Sequence, residues 1–234
     1  MSLDLSRVTY CSVVGRADAS NNNTIDNVLK IGHETSKGIN FGRKVVYTAQ
    51  KPDCETYDFD VELIDGMHHN DYSYWVSKNL KYLFDTDFFI NFHSDGMIQN
   101  PSAWIDDFYN YDYIGAIFLR GVVGNGGFSM RSRLFAEVMS QVDMTPHNPQ
   151  KTEHDNEDVL FCYTYKNFFQ MRGVRYAPSS IASRFSTEHI ATDELHFTES
   201  FGFHEIERLS DGYVQEHRRA YLRMILNENT QTKR

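Results

Sequence analysis

The chain is 234 residues long, 41% hydrophobic and 24% charged, which is the profile of a folded globular protein and excludes a disordered one. Its net charge of −9 is local: residues 53–112 carry thirteen Asp and Glu against Lys78 and Lys81 alone, so no basic stripe for gripping nucleic-acid phosphates dominates. Cys11, Cys54 and Cys162 lack metal-pair spacing, and MSLDLSRVTY lacks the apolar core of a signal peptide. No run nears the ~20 apolar residues of a membrane span, and the expected setting is a cytoplasmic, reducing one.

Arg7–Gly15 is β-branched and apolar and reads as a buried first strand. Ile25–Ile31 is a helix candidate and Arg43–Ala49 a second strand. Asp71–Phe84 has an N-cap candidate in Asp71 and near-helical spacing of Tyr72, Trp75, Val76, Leu80 and Leu83. The most apolar strand, Phe88–Phe92, runs into His93-Ser94-Asp95-Gly96. A short helix at Trp104–Tyr109 leads to a strand at Tyr113–Phe118, and Gly124–Gly127 precede a strand-like Phe128–Met130. Helices are expected at Leu134–Val142 and Glu157–Phe169, with a polar loop at 143–156 between them. Arg175–Ala177 reads as a short strand, and Tyr213–Leu226 as a closing helix with Arg218, Arg219 and Arg223 on one face. Strands alternating with helices predict an α/β fold with a mostly parallel central sheet, whose ligands bind beyond the carboxyl ends of the strands.

Four segments carry polar groups that such a fold could use. In FFINFHSDG a strand fixes the direction of Asp95, and a hard divalent cation bridging two phosphates wants one or two such carboxylates; His93 lies two residues earlier. The plain alternative is an Asp-Gly turn. Asn125, Gly126 and Gly127 permit close approach to a ligand, or a tight bend; neither a P-loop nor a dinucleotide fingerprint is present. Glu157 and Asp158 open a helix, where acidic residues suit the macrodipole. One of them could also act as general base while the other holds a sugar. Finally, Glu199–His204 sets aromatics around Gly202 before His204, which gains interest only alongside Asp95.

Taken in order, these segments resemble GT-A-type nucleotide-sugar glycosyltransferases. His93-Ser94-Asp95 corresponds to their metal-binding Asp motif, and GNGGFS is similar to the G-G-G-x-x-x-S segment of beta-1,3-galactosyltransferases and Fringe-like enzymes. Glu157-Asp158-Val159 resembles their E-D-V motif, and His204 stands where a late metal histidine is found. DGMIQNPSAWIDDFYNYDYIGA, with GNGGFSMRS, NEDV and FGFH after it, looks closer still to an uncharacterised glycosyltransferase-like family of bacteria and viruses, over about residues 80–205. Two departures stand out: His93 occupies the first Asp position of the motif, and the N-terminal anchor of Golgi relatives is missing. A weaker metal site and a metal-independent enzyme are both open on the first count.

The resemblance implies a single GT-A-like domain over 1–234. A nucleotide-binding part would span about 7–100, an acceptor and catalytic part about 101–210, and a C-terminal helix 211–228. It implies transfer of a sugar from a nucleotide diphosphate to a glycan or other hydroxyl, with Mn²⁺ or Mg²⁺ held by Asp95 and His204. Val14, Gly15, Arg16, His93, Ser94, Asp95, Asn125, Gly126 and Gly127 would bind the donor. Asp158 would be the base of an inverting reaction and Glu157 its sugar-holding neighbour, the reverse assignment staying open. Trp104 and Tyr111 could stack on sugar, although core packing is the commoner role for such rings. The same fold could act on a hydroxylated DNA base through Arg120, Arg131, Arg133, Arg172, Arg175 and Arg184, or bind sugar or nucleotide without turnover.

Overall fold

The computed structural model describes residues 2–15, 24–67, 69–118, 121–144, 156–188, 199–206 and 211–226. Strand β1 (Leu3–Val14) is buried along its last seven residues, as its apolar, β-branched sequence demands. Helix α1 (Ile25–Thr35) follows, capped by the Thr24 hydroxyl, which accepts from Asn27 N–H. Then come β2 (Ile39–Thr48), β3 (Asp60–Leu63), α2 (His69–Asn79), β4 (Phe88–Asn91), β5 (Gly96–Ile98) and β6 (Tyr113–Gly115). The second half contains β7 (Ser129–Ser132), α3 (Arg133–Ser140), α4 (Glu157–Val159), α5 (Lys166–Met171), α6 (Ser179–Phe185), β8 (Ser186–Thr187), β9 (Gly202–His204) and α7 (Gly212–Leu226).

Six strands form the central sheet in the order β3-β2-β1-β4-β7-β6. The first four are mutually parallel, and β7 alone runs antiparallel to both its neighbours. This is the mostly parallel α/β sheet that the strand–helix alternation predicts. The parallel register pairs Cys11 with Asn91, so the chain leaves β1 at Gly15 and β4 at Phe92 along the same sheet edge. That edge, at the carboxyl ends of both strands, is where ligands of such sheets bind.

A second sheet, β5-β9-β8, stands on that edge. Its antiparallel pair sets Gly96 opposite His204, and so joins a turn in the first half of the chain to a histidine more than a hundred residues later. Helix α7 closes this layer. Ile225 and Leu226 pack with Ile31, Met97, Phe203 and Ile206, while the Tyr221 hydroxyl donates to Ile98 O.

Several expected elements change form. Helix α2 begins at His69, so Asp71 lies in its first turn rather than at the cap. The Glu157–Phe169 helix is broken by a π-helical turn at Leu160–Thr164, in which Tyr165 N–H reaches back to Leu160 O at 2.7 Å. Arg175–Ala177 contributes a single bridge, Tyr113 to Tyr176. The arginines of α7 do not share a solvated face: Arg218 is buried, and its guanidinium donates to the carbonyls of Thr187, His204 and Glu205, tying α7 to β8 and β9. Among the described residues, no helix is long and apolar enough to cross a membrane.

Candidate functional site

After β4 the chain makes a two-residue reversal. His93 N–H donates to Gly96 O at 2.8 Å, and Gly96 N–H returns to His93 O at 3.3 Å, with Ser94 and Asp95 at the tip. The Asp-Gly turn therefore presents the Asp95 carboxylate at its tip. Ser94 is buried, whereas the Asp95 side chain is 43% exposed. The β5–β9 pairing then sets His204 Nε2 3.7 Å from Asp95 Oδ1. One ligand atom from each of His93, Asp95 and His204 lies within 4.8 Å of the others.

This set fits a divalent cation. Donors bound at about 2.0–2.2 Å to one ion stand roughly 3–4 Å apart, and the exposed Asp95 has room to close the difference. The His204 ring is also pre-oriented. His204 Nδ1–H donates to Glu188 Oε1 at 3.1 Å, which leaves Nε2 toward Asp95. Burial opposes protonation of His204, but Asp95 and then Glu188 outweigh it, so its pKa is pushed up to about 9. Burial instead lowers the pKa of His93, keeping that ring neutral. Its Nε2 lies 3.2 Å from Asn91 Nδ2 and 3.5 Å from the Tyr72 hydroxyl.

The glycine-rich turn forms the opposite wall. Asn125 Nδ2 donates to Glu188 Oε1 at 2.9 Å, and Asn125 Oδ1 accepts from Gly127 N–H at 3.0 Å. Asn91 Nδ2 donates to Gly126 O, and Gly126 N–H donates to Asp158 Oδ2, both at 2.9 Å. Hydrogen bonds thus run from His204 through Glu188, Asn125, the turn and Asn91 to His93. Gly127 has no room for a side chain, because a Cβ there would fall 2.0 Å from His204 Nε2. Gly127→Ala is expected to displace that ring and cost about 1–3 kcal/mol, the usual range for overpacking. Adding His204→Ala should restore most of the lost melting temperature. No recovery in the double variant would place the clash elsewhere.

Asp158 and Glu157 part ways. Asp158 is half-buried and accepts from the amides of Gly126 and Val159. Burial, with the nearby Glu157 charge, raises its pKa to about 6. Glu157 is buried, its Oε1 taken by Arg131 Nη2 at 2.9 Å and its N–H by the Ser73 hydroxyl. Val14 and Gly15 sit where β1 leaves the sheet, Val14 O accepting from Ala49 N–H and Gly15 packed on Met67. Arg16 lies outside the described residues. Trp104 packs edge-on against Phe108, Tyr109 and Phe201, and both it and Tyr111 are half-buried against the core.

Residues 58–204 match the family described as protein of unknown function (DUF5672). The chain belongs to that family. Its matched span contains His93, Asp95, the glycine turn, Asp158, Glu188 and His204. No curated protein matches the sequence. Among solved structures, the fold is similar to a glycosyltransferase involved in the glycosylation of the major capsid of PBCV-1. That match has a TM-score of 0.52 at 15% identity and covers 91% of this chain and 98% of that one. It is similar too to the galactosyltransferase LgtC in complex with donor and acceptor sugar analogs, with a TM-score of 0.50 at 12% identity over 98% and 97% of the two chains. The fold is GT-A, as the motif order implies.

Glu188, Asn91 and Arg131 were not singled out for these contacts by the sequence. Asn91 left a trace there, as the one polar residue inside the apolar run FFINF. Glu188 left none.

Proposed function

We propose that the protein transfers a sugar from a nucleoside diphosphate sugar to an acceptor hydroxyl on a glycan or similar molecule. The observation that carries this reading is the meeting of His93, Asp95 and His204 at the carboxyl ends of β1 and β4, with Asp158 bonded to the adjoining glycine turn. In a GT-A fold that edge is suited to a donor diphosphate. Asp95 and His204, with His93 beside them, would hold Mn²⁺ or Mg²⁺. Such an ion supplies charge neutralisation for the leaving diphosphate.

The remaining roles follow from position. Val14 and Gly15, at the end of β1, would line the base or ribose, and the Ser94 turn would line the phosphates. Asn125, Gly126 and Gly127 line the donor sugar. For an inverting reaction, Asp158 takes the acceptor proton as the acceptor oxygen bonds to the anomeric carbon. The nucleoside diphosphate then departs with the electrons of the broken bond. Glu157, paired with Arg131, acts through Asp158, whose pKa it helps to raise.

A DNA acceptor is less well supported. Arg131 is buried on Glu157, Arg133 donates to the carbonyls of Phe84 and Thr86, and Arg175 faces Asp112. Arg120 lies outside the described residues. A pure binding module would not need a carboxylate poised near pH 6.

The test is a thermal-shift screen of UDP, GDP, CMP and dTDP sugars with and without Mn²⁺, followed by a donor-hydrolysis assay. Stabilisation that needs the ion and vanishes in Asp95→Asn is expected. Donor binding without hydrolysis or transfer above background would overturn the enzyme in favour of the binding module.

A further inference from the structure

We propose that Tyr113 is a positioning residue for the transfer: its hydroxyl fixes the glycine turn so that the Gly126 N–H meets Asp158, a role that rests on the reading of Asp158 as the base. Tyr113 is fully buried on β6, its ring packed on Phe135 and Tyr176, so it touches no substrate itself. Its hydroxyl donates to two successive carbonyls of the turn, Gly124 O at 2.6 Å and Asn125 O at 3.0 Å. Burial pushes the pKa of the phenol up, so it remains a donor across any assay range.

Peptide geometry carries that contact to the site. A trans peptide points its C=O and its N–H in opposite directions, and the peptide joining Asn125 to Gly126 is trans. Its carbonyl rests on Tyr113, so its N–H faces away from the ring and donates to Asp158 Oδ2 at 2.9 Å. The preceding peptide is held likewise, with Gly124 O on Tyr113 and Asn125 N–H on Ala116 O at 3.1 Å. Strand β6 is shaped to this contact. Gly115 shares the face of Tyr113, and a Cβ there would fall 2.0 Å from Asn125 O. One strand face thus leaves room for the carbonyl and supplies the hydroxyl that binds it. The other groups facing Asp158 are Glu157, Arg131, Tyr72 and Cys162, and Tyr113→Phe alters none of them.

The experiment compares the full chain with its Tyr113→Phe variant, which keeps the ring. The Asp158 carboxyl is titrated by carbon NMR on aspartate-labelled protein, its signal assigned by its loss in Asp158→Asn, and kcat/KM is followed over the same pH range. The Gly126 bond lowers the Asp158 pKa, so weakening it should move the titration up from about 6 by roughly half to one pH unit. The acidic limb of kcat/KM should move with it, and the two substitutions together should be no slower than Asp158→Asn alone. A lower melting temperature with titration and limb unmoved overturns the positioning role and leaves the base reading intact. A titration that moves in a protein without an acidic limb upholds the Tyr113 contact and overturns Asp158 as the base. Amide exchange in the parent needs no variant. The Gly126 N–H should exchange on the time scale of the β7 amides, and exchange at the rate of an exposed loop overturns the proposal.

Discussion

Asp158→Asn should lower kcat/KM by about 10²–10⁴, the range for loss of a positioned general base, while the protein melts close to the parent temperature at pH 7. The two halves of that expectation have one cause. Burial and the Glu157 charge raise the Asp158 pKa from 3.8 to about 6, so the folded state disfavours its carboxylate. A raised pKa stabilises the fold below pH 3.8, and that contribution is lost as the pH climbs through 6. At pH 7 the ionised group is therefore a burden on stability, which asparagine relieves. The amide keeps one oxygen for Gly126 or Val159, and the bond it gives up costs about 1 kcal/mol. Activity has the opposite sign, because a base must be unprotonated. In the parent, kcat/KM should drop tenfold per unit below about pH 6 and level off above it. The variant should lose this limb altogether. A variant with the same limb and near-parent rate would move the base elsewhere.

How much of this could be read beforehand divides along physical lines. β1 and β4 were legible because strands buried on both faces are written as continuous apolar runs. β3 was not: Asp60-Val61-Glu62-Leu63 is an edge strand with polar, exposed side chains, held by its register to β2. The small sheet was hidden for another reason. Strands of two or three residues carry no periodicity, and only their pairing with segments distant in the chain defines them. The motifs placed Asp95, the glycines, Asp158 and His204 in order, and the fold brings them to one edge. What the motifs did not carry is the framework around them. Glu188 sits between Thr187 and a stretch without local signal, and its meaning comes wholly from His204 and Asn125. Glu157 shows the reverse error. Sequence adjacency to Asp158 suggested a shared task, yet neighbours at a helix start diverge by about 100°. One faces the turn and the other faces Arg131.

Arg131→Leu is expected to be the most destabilising of these substitutions. Arg131 and Glu157 have side chains 2% and 9% exposed, and Arg131 also donates to the Ser129 hydroxyl along the same face of β7. Removing the guanidinium strands a buried carboxylate, which costs roughly 3–5 kcal/mol, or a fall in Tm on the order of 10 °C in a chain of this size. Joining it with Glu157→Leu should recover much of the loss, because a buried ion pair gains little over apolar groups of similar volume. A single variant melting within a degree of the parent would mean that water reaches the pair and screens it. The site supplies a second readout. Arg131 lowers the Asp158 pKa and Glu157 raises it, with Glu157 the stronger influence. In Arg131→Leu the acidic limb of kcat/KM should therefore move above pH 6, and in the double variant it should move back below the single one. A loss of folding alone would lower the rate at every pH and leave the limb where it was. The direction of the limb thus separates an ion pair that tunes the base from one that only holds two elements together.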